Sequence, residues 1–204
     1  TRLRLNYNVL TGSIPEEIGN LTNLIVLLLH NNVLTGSIPP EIGYLTDLTD
    51  LDLYYNALTG TIPSEIMSLT DLVYLNLGDN ALAGSIPEEI GSLTELTELS
   101  LEHNAFSGSI PPELGDLTEL TTLRLNNNEL TGLIPNSFCN LSDEITLDLS
   151  DNNLCSPYPD CLTLDGCILP DSETTGYFSV GSNGAILCNS PFDIKGFEFY
   201  IGGI

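Results

Sequence analysis

The sequence predicts an α/β solenoid, in which short turns of chain stack on one another and a parallel sheet lines the concave side. Two observations support this prediction. An asparagine recurs at equal steps of 24 residues, at the seven positions Asn8, Asn32, Asn56, Asn80, Asn104, Asn128 and Asn152. Segment 72–95 is also followed by a second copy of its pattern in 96–119. A fixed period between about 20 and 29 residues indicates a repeat protein rather than a globule.

Each turn carries two leucines shortly before the asparagine, as in Leu75 and Leu77 on either side of Asn76. Alternation along a strand places the two leucines in the core and the residue between them on the open face. Stacked turns then form a parallel sheet with strands about 4.8 Å apart. We expect the recurring asparagine to bond the backbone of its own loop and of the neighbouring turn, which is a structural role.

A glycine and a proline follow the asparagine in the pattern Gly-x-Ile-Pro, which is intact in most turns. The glycines allow a backbone geometry that a side chain would hinder. The prolines suit the first turn of a short helical segment on the convex side. The residues are Gly12, Gly36, Gly60, Gly84, Gly108 and Gly132, with Pro15, Pro39, Pro63, Pro87, Pro111 and Pro135.

Leu-x-Leu-x-x-Asn followed by Gly-x-Ile-Pro and Leu-Thr-x-Leu resembles the plant-type leucine-rich repeats. This family includes receptor-kinase ectodomains and polygalacturonase-inhibiting proteins, with relatives in algae and some bacteria. The resemblance covers about three quarters of the chain. It implies a right-handed leucine-rich repeat superhelix, whose exposed strand positions recognise a ligand that the repeats do not name.

The chain divides into three predicted parts. Residues 1–154 form the solenoid of seven turns, with the first and last partial, residues 155–169 a Cys-rich C-terminal cap, and residues 170–204 a non-repeat tail. The tail resembles the opening strands of cohesin-like β-sandwich modules, with a turn at 182–184 and a strand at 197–201. Because no polar cap covers the first turn, we interpret the chain as a piece of a longer protein.

Four cysteines are gathered at the end of the repeats, where the family carries cysteine-containing caps. Cys139, Cys155, Cys161 and Cys167 are predicted to form two disulfides that seal the cap. Such bonds imply an oxidising compartment, so the protein is expected outside the cell or on its surface. Three pairings are possible, and stacking of residues 24 apart favours Cys139 with Cys161 and Cys155 with Cys167. Cys188 is left as the odd thiol.

The charge balance excludes several classes of partner. Four Lys and Arg against 28 Asp and Glu give a net charge of −24, which repels nucleic acids and anionic membranes. No run is long and apolar enough to insert into a membrane. His30 and His103 lie three turns apart without a nucleophile motif, so we expect no enzyme, cofactor or metal site. Arg124 lies one turn before Asp148 in the same column, which predicts a cross-strand ion pair.

The predicted ligand site is the open face of the concave sheet. Tyr54, Tyr55 and Tyr74 are expected to form an aromatic cluster beside Val26 and Leu28, a suitable anchor for a peptide or a sugar. Acidic residues flank the cluster and favour a cationic or hydroxyl-rich partner. The predicted site residues are Leu28, Asp50, Asp52, Tyr54, Tyr55, Tyr74, Asn76, Glu98 and Glu102.

The sequence therefore predicts a non-catalytic extracellular recognition module that binds a protein or glycan ligand on its concave face. Two alternatives stay open. The Thr-Gly-Ser segments would form two columns of hydroxyls, spaced about 4.8 Å along the stack and about 6.7 Å apart, which could match ice or another lattice. Some plant-type relatives are antifreeze proteins, although Ala83 and Leu133 interrupt the columns here. The other alternative is a structural spacer in a larger surface protein.

Overall fold

The computed structural model describes residues 1–142, 144–155 and 159, together with the backbone of three later strands. The described turns stack as a solenoid. Each turn contains a strand on the concave side, an asparagine loop, a second short strand and a 3-10 helix. Strands (β) and 3-10 helices (η) are numbered in chain order.

Eight parallel strands form the concave sheet. They are β1 (Arg2–Arg4), β3 (Val26–Leu28), β5 (Asp50–Asp52), β7 (Tyr74–Asn76), β9 (Glu98–Ser100), β11 (Thr122–Arg124), β13 (Thr146–Asp148) and β15 (Cys167–Ile168). From β1 to β13, each residue pairs with the residue 24 positions later, which confirms the predicted turn length. Leu147 pairs with Cys167, only 20 positions later, so the last turn is four residues shorter.

Seven short parallel strands form a second sheet beyond the asparagine loops. They are β2 (Thr11–Gly12), β4 (Val33–Gly36), β6 (Ala57–Gly60), β8 (Ala81–Gly84), β10 (Ala105–Ser109), β12 (Glu129–Leu133) and β14 (Asn153–Cys155). Residues here pair 22 positions apart, as Thr35 does with Ala57. Because the repeat is 24 residues long, equivalent residues slip by two positions at each step. The six repeated glycines have φ between 74° and 84°, in the left-handed region that favours glycine.

The helical segments lie after the repeated prolines, as predicted. They are η1 (Glu16–Asn20), η2 (Pro40–Tyr44), η3 (Ser64–Ser68), η4 (Glu88–Ser92), η5 (Pro112–Asp116) and η6 (Asn136–Asn140). Each follows a proline in extended conformation, and a leucine ends it by donating its N–H to the carbonyl three residues earlier. Leu45 N, for example, lies 3.1 Å from Ile42 O. This closure makes the segments 3-10 rather than α-helical.

A ladder of asparagines bonds adjacent turns. Asn128 Nδ2 donates to Leu101 O of the preceding turn and to Leu125 O of its own, both at 3.0 Å. Its Oδ1 accepts from Phe106 N at 3.0 Å. The same three bonds recur from Asn32 to Asn152. The predicted structural role of the asparagines is therefore confirmed.

The end of the chain is described only in part. Cys139 lies in η6 and is disulfide-bonded, and Cys155 is buried in β14. Cys161 lies outside the described residues, so the pairing of the cap cysteines and the domain boundaries stay predictions. Strands β16 (Tyr177–Val180) and β17 (Ile186–Asn189) pair antiparallel. The turn predicted between them at 182–184 and the strand predicted at 197–201 also lie outside the described residues.

Candidate ligand-binding site on the concave face

The nine predicted ligand-binding residues lie on turns two to five of the concave side. One column of the sheet contains Asp50, Tyr74 and Glu98, the next contains Leu28, Asp52 and Asn76, and the loops after β5 and β9 contribute Tyr54, Tyr55 and Glu102. Their clustering follows from the 24-residue register, because residues at equivalent positions become neighbours in the stack. The side chains differ, however, in burial and in contacts.

The aromatic cluster is smaller than predicted. The rings of Tyr54 and Tyr55 lie 6.0 Å apart and tilt by 38°, and Tyr55 is 58% exposed. Tyr74 makes no ring contact with either of them in the part of the chain that the structure describes. Val26 is buried and Leu28 half-buried, because side chains crowd together on the inner side of a curved sheet. Among the described residues, the aromatic cluster of the site is therefore the Tyr54–Tyr55 pair, without Tyr74.

The hydroxyl of Tyr54 lies in a negative environment. A hydrogen bond from the Tyr54 hydroxyl to the Asp79 carboxylate of the next turn is the main cause that raises the pKa of Tyr54 to about 12, and burial is the second cause. The charges of Asp79 and Glu102 act in the same direction. Tyr54 therefore stays protonated at physiological pH, and its hydroxyl can serve as a hydrogen-bond donor or acceptor.

Tyr74 is held by its neighbour on the same strand. Asn76 Nδ2 donates to the Tyr74 hydroxyl at 2.9 Å, while Asn76 Oδ1 accepts from Gly78 N at 3.0 Å. Burial raises the pKa of Tyr74, and the charges of Asp52, Glu98 and Glu102 raise it further. Asn76 thus positions the Tyr74 hydroxyl, around which carboxylates from turns three and five converge.

Glu102 leans back over the preceding turn, where Gly78 has no side chain. A Cβ at position 78 would lie 2.8 Å from Glu102 Cδ, so the carboxylate fills the space that a side chain would need. Glu102 Oε2 is buried and has no hydrogen-bond partner among the residues that the structure describes. Burial raises the pKa of Glu102, while a hydrogen bond from its own backbone N–H lowers it, as do the charges of Arg124 and His103. The site therefore contains a partly desolvated and incompletely paired carboxylate.

A pair that the sequence did not predict lies at the edge of the site. His30 Nδ1 is 2.8 Å from Asp52 Oδ2, and the ring of Tyr7 meets His30 edge-on at 5.2 Å. Asp52 Oδ1 accepts from Tyr54 N at 3.1 Å. Burial raises the pKa of Asp52, whereas the Tyr54 N–H and His30 lower it. The signal in the sequence that could have indicated this pair is that His30 and Asp52 fall on adjacent turns.

The predicted ion pair between Arg124 and Asp148 is wrong. The two residues are register partners, but no ion pair joins them within 4 Å in the described part of the chain. Asp148 Oδ1 accepts from the backbone N–H of Ser150 at 3.0 Å and from its hydroxyl at 2.7 Å. Arg124 Nη1 instead donates to Ser100 Oγ of the preceding turn at 3.4 Å. Arg124 therefore extends towards the acidic site rather than away from it.

The Thr-Gly-Ser segments do not form the predicted columns. Thr35 and Thr59 are exposed on the second sheet, as expected. The 22-residue pairing, however, displaces each equivalent hydroxyl by two residues along the strand. Combining about 6.7 Å along the strand with about 4.8 Å between strands gives a step of roughly 8 Å between equivalent residues. The predicted step of about 4.8 Å is therefore wrong for this sheet.

The described residues offer neither a cluster of three His, Cys, Asp or Glu suited to a metal ion nor a helix of the length and apolarity that a bilayer crossing requires.

Comparison with known proteins agrees with the repeat pattern. The family model described as "Leucine-rich repeat region" matches residues 3–155. A search of curated proteins gave no match. Among solved structures, the ectodomain of the plant membrane receptor kinase GASSHO1/SCHENGEN3 from Arabidopsis thaliana is 41% identical, with a TM-score of 0.73. That structure is a complex with Casparian Strip Integrity Factor 2, and the match covers 75% of this chain and 18% of the receptor.

Two further structures extend the comparison. The Arabidopsis receptor kinase HAESA, in complex with the peptide hormone IDA and the co-receptor SERK1, is 39% identical over 76% of this chain and 26% of that chain, with a TM-score of 0.74. A plant ice-binding protein is 27% identical over 82% of this chain and 73% of that chain, with a TM-score of 0.57. The chain thus spans less than a third of the length of the GASSHO1/SCHENGEN3 and HAESA chains. The matched family model and the plant receptor neighbours confirm the resemblance read from the repeats: the chain belongs to the plant-type leucine-rich repeat family.

Proposed function

We propose that the chain is a non-catalytic extracellular recognition module, and that a protein or glycan ligand binds to its concave sheet. The main support is the combination of an aromatic pair, half-buried Tyr54 and exposed Tyr55, with incompletely paired polar groups on the same open face. Exposed aromatic residues surrounded by polar groups are typical anchors of binding interfaces. Plant receptor ectodomains of similar sequence, solved with a peptide hormone or an integrity factor, give the proposal its second support.

The experiment is a binding screen with a matched pair of tyrosine variants. The immobilised chain is exposed to a library of secreted peptides and to a glycan array. Hits are measured again with Tyr55→Asn and with Tyr44→Asn. Tyr55 has positive φ, and asparagine occupies the equivalent Asn31 and Asn127 with the same backbone geometry, so the fold should tolerate the change. Tyr44 is similarly exposed, at 63% against 58%, but lies in η2.

We expect Tyr55→Asn to weaken binding of the true ligand at least about tenfold, because truncation of a central aromatic anchor typically costs about 2 kcal/mol or more. Tyr44→Asn should leave the affinity unchanged. A ligand that loses affinity with Tyr44→Asn and keeps it with Tyr55→Asn would place the binding face on the outer side of the solenoid, against the proposal.

A second candidate function is binding to ice or another lattice through the second sheet. The similarity to a plant ice-binding protein favours it, although the uniform two-residue stagger gives the hydroxyls a spacing different from the one predicted. Thermal hysteresis and ice-crystal shape would be measured for the chain and for Thr35→Tyr with Thr59→Tyr. Thr46→Tyr with Thr70→Tyr provides a control at exposed threonines elsewhere on the turn. Loss of activity in the first variant alone would support this function.

The remaining alternative, a structural spacer in a larger surface protein, predicts neither a concave-face ligand nor thermal hysteresis. A negative result in both experiments would favour it.

A further inference from the structure

A groove of about 840 Å³ lies outside the concave face, over turns three to five. It follows the connections that lead from the second sheet to the 3-10 helices, and no residue of the concave sheet lines it. Its volume is within the range of about 300 to 1,000 Å³ that is usual for ligand sites. The groove is therefore a candidate site separate from the one that contains the tyrosines.

Successive turns contribute the same kinds of group to the groove. In each turn a hydroxyl follows the strand of the second sheet, and an isoleucine and a proline lead from it into the 3-10 helix. The hydroxyls are exposed, whereas the isoleucines are buried and give the groove an apolar part. These lining residues include Thr61, Ser85, Ser109, Ile62, Ile86 and Pro87.

The 3-10 helices add carboxylates to the groove. Glu88 and Glu89 lie exposed at the start of η4, and Glu113 lies half-buried on η5. A Cβ at position 91 would lie 2.8 Å from Glu113 Cβ, so Gly91 allows Glu113 to pack closely against η4. Glu113 Oε2 has no hydrogen-bond partner among the described residues. The fold thus leaves this carboxylate with unused capacity to accept hydrogen bonds.

The chemistry of the lining favours an uncharged ligand that is rich in hydroxyls. No Lys, Arg or His is among the residues that line this part of the described chain, and the net charge of −24 repels anions. Serine and threonine hydroxyls donate and accept hydrogen bonds, and carboxylates accept them, so both suit sugar hydroxyls. Because the same groups recur from turn to turn, a ligand built of repeated units meets equivalent groups along the groove.

We propose that this groove binds a linear, uncharged polysaccharide. Ser85 and its equivalents, together with the Glu113 carboxylate, bond the sugar hydroxyls, while Ile62 and Ile86 contact the C–H groups of the sugar rings. The inference goes beyond the proposed concave-face function, because it needs neither the tyrosines nor the concave sheet. Such a groove would attach the protein to a polysaccharide matrix and leave the concave face open.

The test compares hexasaccharides that differ in charge. Cellohexaose and the β-1,4-linked hexamer of N-acetylglucosamine are uncharged, whereas the corresponding hexamer of glucosamine carries amines. Each is titrated into the nitrogen-15-labelled chain at physiological ionic strength, so that diffuse attraction is screened. The amide signals of Gly108, which lines the groove, and of the equivalent Gly36, which does not, are followed. We expect an uncharged hexamer to shift the Gly108 signal and to leave the Gly36 signal in place.

Two matched pairs of variants locate the site. Ser85→Tyr places a bulky ring in the groove, and Ser13→Tyr makes the same change at the equivalent exposed position outside it. We expect Ser85→Tyr to weaken the uncharged hexamer at least tenfold and Ser13→Tyr to leave it unchanged. Glu113→Gln should weaken it several-fold. Glu41→Gln should change nothing, since Glu41 also follows two prolines and is half-buried but does not line the groove.

Three results would overturn the groove proposal. They are a Gly108 signal that neither uncharged hexamer shifts, binding of the glucosamine hexamer alone, and equal losses from Ser85→Tyr and Ser13→Tyr. The concave-face function is tested separately by Tyr55→Asn. A hexasaccharide that tolerates Ser85→Tyr but loses affinity with Tyr55→Asn would overturn the groove and support the concave face. Loss of affinity with Ser85→Tyr alone would support the groove.

Discussion

Replacing Asn128 by alanine should destabilise the solenoid by about 3 kcal/mol. The change removes three hydrogen bonds of 3.0 Å, to Leu101 O, to Leu125 O and from Phe106 N. Each such bond contributes about 1 kcal/mol net, which gives the estimate. The N–H of Phe106 is left buried without an acceptor, so the cost should not fall much below this value.

Chemical denaturation followed by circular dichroism measures the effect, and Asn8 provides the matched control. Asn8 belongs to the same ladder, but it is exposed and donates only within its own turn, to Leu5 O and Asn6 O. Asn8→Ala should therefore cost less than about 1 kcal/mol. The denaturant dependence should stay unchanged in both variants, so that the midpoint reports stability. Equal losses for the two variants would refute the argument that bonds between turns carry the stability.

Three further predictions concern other parts of the described structure. Gly115→Ala should lower stability by about 2 kcal/mol in thermal unfolding, because its Cβ would lie 2.4 Å from Ser137 O, a backbone atom that cannot move freely. Glu102→Gln should stabilise the chain at neutral pH. Burial raises the folded-state pKa of Glu102, so the charged carboxylate destabilises the folded chain when the pH is above that pKa. The glutamine variant removes this cost, and its gain in stability should vanish in acid, where the carboxyl group is neutral. Asp79→Asn should bring the pKa of Tyr54 down from about 12 towards 10.0, measurable by ultraviolet titration against Tyr54→Phe.

The repeating scaffold was predictable because each of its positions has one dominant physical demand. Leu75 and Leu77 alternate with Asn76, and only the inward positions must be apolar. The asparagines recur because their amide bonds three backbone groups that the loop leaves open. A 24-residue period read from the sequence therefore gives the register of the concave sheet from β1 to β13.

The slip of the second sheet could not be predicted from the same period. Equal spacing shows which residues are equivalent, but it does not show whether equivalent residues lie opposite each other on adjacent strands. In the second sheet they do not, since Thr35 pairs with Ala57 rather than with Thr59. The pairing depends on the path of the asparagine loop, where residues such as Asn31 and Tyr55 adopt positive φ.

The repeat pattern also could not predict which contacts the long polar side chains make. Column neighbours predicted that Arg124 would pair with Asp148, yet Arg124 reaches back to Ser100. Glu102 likewise reaches back over Gly78. A long side chain can reach the turn before or after its own, and the choice depends on the local space and on competing bonds. Asp148 Oδ1 accepts two hydrogen bonds from Ser150, which holds this carboxylate against its own turn.

The predictions for Glu102 separate a structural role from a functional one. A residue retained for the fold should cost stability when it is replaced, as we expect for Asn128. Glu102→Gln is expected to increase stability at neutral pH and at the same time to weaken binding of a ligand on the concave face. Residues that bind a ligand at some cost to the fold show this opposite pair of effects. If Glu102→Gln instead destabilised the chain at neutral pH, the carboxylate would be a structural partner of the surrounding turns, and its place among the ligand-binding residues would lose its physical basis.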